Sequence, residues 1–582
     1  MKKLMLMGMM VVGMAGAWAA EYSRMTVGIS ALPKEQAFFG EMILKRAQDR
    51  TRFSDAAKTL TVELQLDSAV KGEDAEVMVK GGKAVIRAGR IRGLVYGAGK
   101  LLRAATWREK SFSLADGELA FRPAKPIRIC YFARHFHNWY HLATAAELKE
   151  YIEDLALWGF NGISYQFEFP GVDRAGAIPF DIERFERISR EVYCHLRALD
   201  LASFGSGGGN QSSLDTPEKY RAVPNSDPKR GNLGFNICPA KPGALEYIID
   251  GREKMFASPL FRDISFDYLS FWPYDEGGCD CETCRPWGGN GYLRLGEELS
   301  KRNRIHQPEA KSVVSTWTFH DDEWELLYKY LATEESKWID VILADSHTEF
   351  PQYPLTHKLP RPVPIITFPE ISMWGRFPWG AFGATALPAR FERLFRQVEK
   401  VVSGFMCYSE GRFEDLNKIV VLGLYVDPTR HWQEIVREYC RWEFPGVDPD
   451  SYVRFVGLLE GNHEFPPFGA ELKPENEIGH GELPDVGDYE RRCREGLSAA
   501  TEAEELADEL EHQITFSMRP CWRWRLMRLR AIIDHELYGA RKWNTPKADR
   551  CYRELQQMYL AEPLKGLYRN RSGHSAVRPW GD

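Results

Sequence analysis

Acidic residues in this sequence stand repeatedly just behind short apolar runs. Asp275-Glu276 follows ISFDYLSFWPY, Asp345 follows VILA, Glu370 follows IITFP and Glu410 follows GFMCYS. Hydrolysing a glycosidic bond takes one carboxyl group to protonate the leaving oxygen and a second group to act as base, nucleophile or cation stabiliser. Asp275 and Glu276 are the leading catalytic pair, because neighbouring carboxylates suppress each other's ionisation and one of them can stay protonated near neutral pH. Glu410 and Asp345 are the next catalytic candidates, with His347 as a helper for activating water. Tyr274 and Tyr408 stand at the same kind of position and are alternative nucleophiles.

A second set of residues suits binding. Arg134, His135, His137, His320, His347 and Arg412 also follow apolar runs, and forked guanidinium donors and imidazoles recognise a sugar carboxylate. The competing role for these cations is to neutralise the nearby acids. Glu168, Glu370, Trp317, Trp374 and Tyr408 complete the expected substrate-binding set, joined by Glu218 from the Gly-, Ser-, Asn- and Pro-rich segment 206–242. The 17 Trp are enough to supply stacking faces for sugar rings, although core filling accounts for most of them.

The 11 Cys are an odd number and mostly isolated in apolar surroundings, as at Cys130, Cys194, Cys407 and Cys440, so they read as buried small hydrophobes. The exception is Cys279-Asp280-Cys281-Glu282-Thr283-Cys284, whose spacing suits a structural metal or a disulfide. No catalytic metal and no other cofactor is expected.

These groups need a scaffold that delivers strand ends to one place. From Ile127 the apolar pattern alternates strand and helix eight times, with strands expected at Ile127–Ala133, Gly162–Phe167, Leu201–Gly205, Ile264–Trp272, Ser312–Phe319, Val341–Asp345, Val363–Phe368 and Gly404–Tyr408. Eight such units predict an α/β fold built as a closed (β/α)8 TIM barrel, whose site lies at the C-terminal ends of the strands. The expected division is a leader at 1–20, a small α+β domain at 21–126, the barrel at 127–427 and a C-terminal helical region at 428–582. Within the last, the charged stretch RWRLMRLRAIIDHE reads as a solvated helix face.

Lys2 and Lys3, the apolar run Leu4–Ala17 and the small-residue end Ala17-Trp18-Ala19 predict a signal peptide, and with it a secreted or periplasmic protein. No later stretch is long and apolar enough for a transmembrane span. A net charge of -6 gives no basic footprint for nucleic acid.

The segments RGLVYGAGKLLRAA, RICYFARHFHNWYH, WPYDEGGCDCETC and CYSEGRFEDLNK resemble the two-domain barrel glycoside hydrolases, including the family 20 β-N-acetylhexosaminidases and the family 67 α-glucuronidases. The resemblance implies that Glu276 is the acid and that Asp275 orients a substrate acetamide, although here the glycines follow the acids instead of preceding them. The expected partner is an oligosaccharide or a glycoprotein glycan. The first expectation is an exo-acting hydrolase of a terminal acidic sugar, sialic acid foremost. A barrel-type sialidase fits, since the Ser-x-Asp-x-Gly-x-Thr-Trp repeat of propeller sialidases is missing. The alternatives are a β-N-acetylhexosaminidase and a non-catalytic glycan-binding barrel.

Overall fold

The structure, a computed structural model, describes residues 19–30, 32–54, 58–134, 139–165, 182–210, 216–225, 235–274, 277–346, 349–371, 386–409, 411–463, 486–515, 518, 521–540 and 545–559. Residues 1–18 of the expected leader lie outside the described residues, and its last position, Ala20, already belongs to the first strand.

The N-terminal part holds two sheets. Strands β1 (Ala20–Tyr22), β6 (Thr106–Trp107) and β7 (Phe112–Leu114) form one in the order β1-β7-β6. Strands β2 (Arg24–Gly28), β3 (Thr59–Leu66), β4 (Ala75–Lys80), β5 (Lys83–Ala88) and β8 (Gly117–Phe121) form the other in the order β2-β3-β5-β4-β8. The β4–β5 hairpin turns at Gly81-Gly82, both at positive φ, where a residue without Cβ is unstrained. Helix Ile91–Ala104 lies between this sheet and the barrel. Its glycines record how close both neighbours come: a Cβ on Gly97 would sit 2.4 Å from Ile86 Cγ2, and one on Gly99 would sit 1.8 Å from the carbonyl oxygen of Leu157.

Strands β9 (Ile127–Phe132), β10 (Gly162–Tyr165), β11 (Ala202–Gly208), β12 (Tyr268–Trp272), β13 (Lys311–Ser315), β14 (Val341–Ser346), β15 (Ile365–Pro369) and β16 (Gly404–Ser409) pair in parallel and in sequence order. The barrel closes where β16 pairs with β9, from Gly404 opposite Ile127 to Ser409 opposite Phe132. All eight expected strands are present, although β12 and β15 begin later than the apolar runs that announced them. The interior is packed by Ile127, Ile129, Tyr131, Phe204, Val313, Val341, Leu343, Ile366, Phe368 and Met406. At the N-terminal end of the barrel, buried Arg128 reaches from β9 to Glu73 at 2.7 Å and to the Gly159 carbonyl at 2.8 Å, tying the barrel to the N-terminal domain.

After the barrel come helices Trp432–Glu443, Pro449–His463, Val486–Gln513, Trp522–Ala540 and Pro546–Tyr559. The expectation of a solvated face on RWRLMRLRAIIDHE is corrected. Arg523, Arg530 and Asp534 are buried, with Arg530 Nε 2.8 Å from Asp534 Oδ1. Burial, only partly offset by Arg530, pushes the Asp534 carboxyl up to about 6. Cys194, expected inside, is exposed, because its helix turns that side outward. No helix among the described residues is long and apolar enough to cross a membrane.

Candidate active site

Side chains alternate between the two faces of a strand, so a barrel sorts its strand-end residues into those facing the axis and those facing the surrounding helices. On β9 the residues 127, 129, 131 and 133 belong to the interior cluster while Cys130 and Phe132 pack outward. The same two-residue step continues past Val341 and Leu343 to Asp345, past Ile366 and Phe368 to Glu370, past Met406 to Tyr408, and past Val313 to Trp317. Asp345, Glu370, Trp317 and Tyr408 are therefore brought to the barrel mouth from adjacent strands.

Beneath them lies an aromatic floor. Phe368 is its hub, with ring centroids 5.2 Å from Trp272, 5.8 Å from Tyr131, 5.9 Å from Trp317 and 5.8 Å from Tyr408. Tyr131 stacks on Tyr408 at 5.4 Å with 26° between the planes. Trp272, Trp317 and Tyr408 are only half-buried, so part of each ring faces the opening. Aromatic faces of this kind stack on the C–H faces of a pyranose. Tyr131, Trp272 and Phe368 were not picked out in the sequence as binding groups. The period-2 register of their strands was the signal that could have found them.

Both acids at the mouth are held in place. Glu370 is 6% exposed, its backbone bridges to Tyr408, and the next residue is fixed by Asn417 Nδ2, which donates to the Ile371 carbonyl at 3.1 Å. Asp345 Oδ2 accepts the Thr318 N–H at 3.0 Å, and its own N–H donates to Thr316 Oγ1 at 3.1 Å. Thr318 has φ +55°, which a β-branched residue adopts only when its surroundings impose it. Strain of that kind gathers at functional sites, and nothing in the sequence around Thr318 announces it.

Other candidates sit elsewhere. Arg134 continues the outward face of β9. It packs between Tyr165 and Phe185, 4.2 and 4.3 Å from the ring centroids, and donates to Ser189 Oγ at 3.3 Å. Arg412 lies between Trp139 and Trp522 and donates to the Met558 carbonyl at 2.8 Å. Burial there lowers its guanidinium to about 10. Both arginines hold the barrel to its surrounding helices, and this corrects the expectation that they line the mouth. Tyr274 is buried, its hydroxyl hydrogen-bonded to Glu323 Oε1, so it braces the chain behind β12. His320 is exposed at the start of helix Asp321–Leu331, where its N–H donates to Glu323 Oε2 at 3.1 Å. Glu218 is exposed on a 3-10 turn. Asp275, Glu276, Glu410, His135, His137, His347, Glu168 and Trp374 lie outside the described residues.

The residues on either side of the two leading acid positions are nonetheless fixed. Before Asp275-Glu276 stands the Tyr274–Glu323 contact. After it, Asn210 Oδ1 accepts the Gly278 N–H at 2.9 Å, Asn210 Nδ2 donates to the Gly278 carbonyl at 2.9 Å, and Asn225 Nδ2 donates to the Gly277 carbonyl at 3.2 Å. Around Glu410, Ser409 Oγ lies 2.7 Å from Tyr140 Oη, and the Gly411 carbonyl accepts from fully buried Lys418 at 2.6 Å. Such satisfied buried networks hold a backbone to one conformation.

The cysteine run gains a member from outside its own segment. Cys238, on the chain following β11, meets Cys279, Cys281 and Cys284 with all four sulfurs within 4.8 Å of one another. All four are free thiols, and the sulfur of Cys238 stands 3.7 Å from that of Cys281 and 3.9 Å from that of Cys284, far beyond a bonded separation of about 2.05 Å.

No family model matches the sequence, and no curated protein matches it. Solved structures do share its fold. A family GH115 4-O-methyl-α-glucuronidase with specificity for decorated arabinogalactans superposes with a TM-score of 0.61 at 9% identity, over 97% of this chain and 78% of that one. A family 89 glycoside hydrolase from Clostridium perfringens, in complex with its substrate GlcNAc-α-1,4-galactose, gives 0.57 at 11% identity over 90% of this chain and 61% of that one. A GH138 enzyme targeting pectin rhamnogalacturonan II gives 0.55 at 11% identity over 92% and 70%. The chain thus has the barrel fold of these glycoside hydrolases.

Proposed function

We propose that the chain is an exo-acting glycoside hydrolase that removes a terminal sugar from a glycan. The observation that carries this reading is the convergence of Asp345 and Glu370 over a half-exposed aromatic floor at the C-terminal end of a closed barrel, where barrel enzymes hold their substrates. An aromatic floor binds the apolar face of a sugar, and carboxyl groups at its rim supply proton transfer to and from the glycosidic oxygen. Asp275-Glu276 and Glu410 remain the leading acids on sequence grounds, and Asp345 and Glu370 are the acids that the described strands bring to the mouth.

An acidic terminal sugar, a sialic or uronic acid, is the first choice of substrate. With Arg134, Arg412 and His320 placed elsewhere, this choice rests on His135, His137 and His347 and on the fold shared with a 4-O-methyl-α-glucuronidase. The second reading, a β-N-acetylhexosaminidase, is favoured by the anchoring of the chain on both sides of the Asp-Glu pair. The leader-like first residues place the enzyme outside the cytoplasm on this reading.

The purified chain is offered 4-methylumbelliferyl sialoside, α-glucuronide and N-acetyl-β-glucosaminide. Turnover of an acidic sugar supports the first choice, turnover of the N-acetylglucosaminide alone supports the second, and no release from any terminal sugar overturns the exo-glycosidase reading. On the accepted substrate, Glu370→Gln and Asp345→Asn are expected to lower kcat about 100-fold or more with little change in KM. If both amides keep kcat and lose only affinity, the barrel binds glycans through these groups without catalysis by them.

A further inference from the structure

Four thiols that meet in one place from two separate loops call for a ligand. A Zn2+ ion holds four thiolates at about 2.3 Å each, which sets the sulfurs at the corners of a tetrahedron with edges of about 3.8 Å. The Cys238 sulfur lies 3.7 Å from Cys281 and 3.9 Å from Cys284, and none of the six sulfur pairs exceeds 4.8 Å. Cys281 and Cys284 carry the C-x2-C spacing of zinc knuckles. The turn between them is closed by the Cys284 and Arg285 N–H groups, both donating to the Cys281 carbonyl at 3.0 Å. Cys238, Cys279 and Cys284 are 2% exposed or less, as suits a closed structural site, while Cys281 forms the accessible side.

We propose that Cys238, Cys279, Cys281 and Cys284 bind one Zn2+ as a structural tetrathiolate site. All four coordination positions are taken by protein, so the ion has no open position for a substrate and takes no part in bond cleavage. Its work is mechanical. Cys238 belongs to the chain after β11 and the other three to the chain after β12, so the ion crosslinks two loops that leave the barrel at its mouth. It joins them immediately beyond the Asn210, Asn225 and Gly277-Gly278 contacts. Binding releases the protons of the thiols and adds its free energy to the folded state alone.

The full-length chain, purified under reducing conditions and dialysed against metal-free buffer, is analysed for metal and for thiol state. One zinc per chain is expected. Exchange for Co2+ is expected to give thiolate-to-cobalt charge transfer in the near ultraviolet and intense tetrahedral d–d bands in the visible. Cys281→Ser is expected to lose the zinc and the charge-transfer band and to lower Tm, whereas Cys194→Ser, at an exposed thiol elsewhere, keeps all three. Should the Cys281 variant not fold, the zinc content and cobalt spectrum of the unaltered chain still decide. A folded chain without zinc that gives no cobalt charge transfer, a chain carrying iron, or alkylation showing these cysteines paired as disulfides would overturn the proposal. None of these measurements uses a glycoside, so the site stands or falls separately from the proposed activity.

Discussion

At the scale of single residues, what matters is which face of its strand a side chain takes. Asp345 and Glu370 reach the mouth because each lies an even number of positions beyond an interior apolar residue, and Arg134 misses it because it lies one position beyond Ala133. The period of 2 is present in the sequence, and it divides the strand-end residues between the axis and the surrounding helices. Arg412 differs, because its partner, the Met558 carbonyl, comes from a distant helix and no local pattern encodes it. Cys238 is missed for the same reason, since only the folding of two loops brings it to the other thiols. Trp317 offers the sharpest test of the floor. Trp317→Ala is expected to raise KM roughly 5- to 30-fold, the range of one lost stacking contact of about 1–2 kcal/mol, with a smaller change in kcat. A fall in kcat with KM unchanged would instead place this ring against the reacting bond.

At the scale of elements, the helices around the barrel are held together by paired charges. Glu438, on helix Trp432–Glu443, pairs with Arg103 Nε at 2.9 Å and with Arg430 Nη2 at 2.8 Å. Burial alone would raise its carboxyl, but the two guanidinium groups outweigh this and hold it at about 2. A folded-state value depressed from an ordinary 4.5 contributes stability above the unfolded value and loses it as the pH falls toward 2. By urea unfolding, Glu438→Gln should therefore show a deficit on the order of 3 kcal/mol at pH 7, shrinking steadily between about pH 5 and pH 2. A deficit that does not vary with pH would mean that packing, not charge, accounts for it. The strands themselves were plain in the sequence because each is an apolar run ended by polar residues. The buried charges of Trp522–Ala540 were not, since a helix rich in Arg looks alike in sequence whether its partners are water or carboxylates.

At the scale of the whole molecule, one arginine joins three regions. Arg523, from the C-terminal helices, lies 2.7 Å from Asp415 and 3.0 Å from Asp154, both on helices of the barrel. Asp154 also accepts from Arg46 of the N-terminal domain at 3.0 Å, and Arg50 of that domain pairs with Glu443 at 3.0 Å. Removing one partner of such a network strands the others in a poorly solvated place, which typically costs 3–5 kcal/mol. Arg523→Met is expected to lower stability by about that much, while calorimetry still shows one transition for the barrel and both flanking regions. Separate transitions in the variant would mean that Arg523 itself couples the three regions, and an unchanged stability would show that they do not depend on this junction.

The pairing of β16 with β9 also governs the order of events in synthesis. Ile127–Phe132 leaves the ribosome early, yet one edge of that strand has no neighbour until Gly404–Ser409 follows. Through that interval the nascent polypeptide carries an uncapped apolar ribbon able to recruit any extended segment, its own or a stranger's. Yield in a foreign host should therefore depend on holdase supply and on elongation rate through the six intervening strands more than on how firmly the finished molecule holds together.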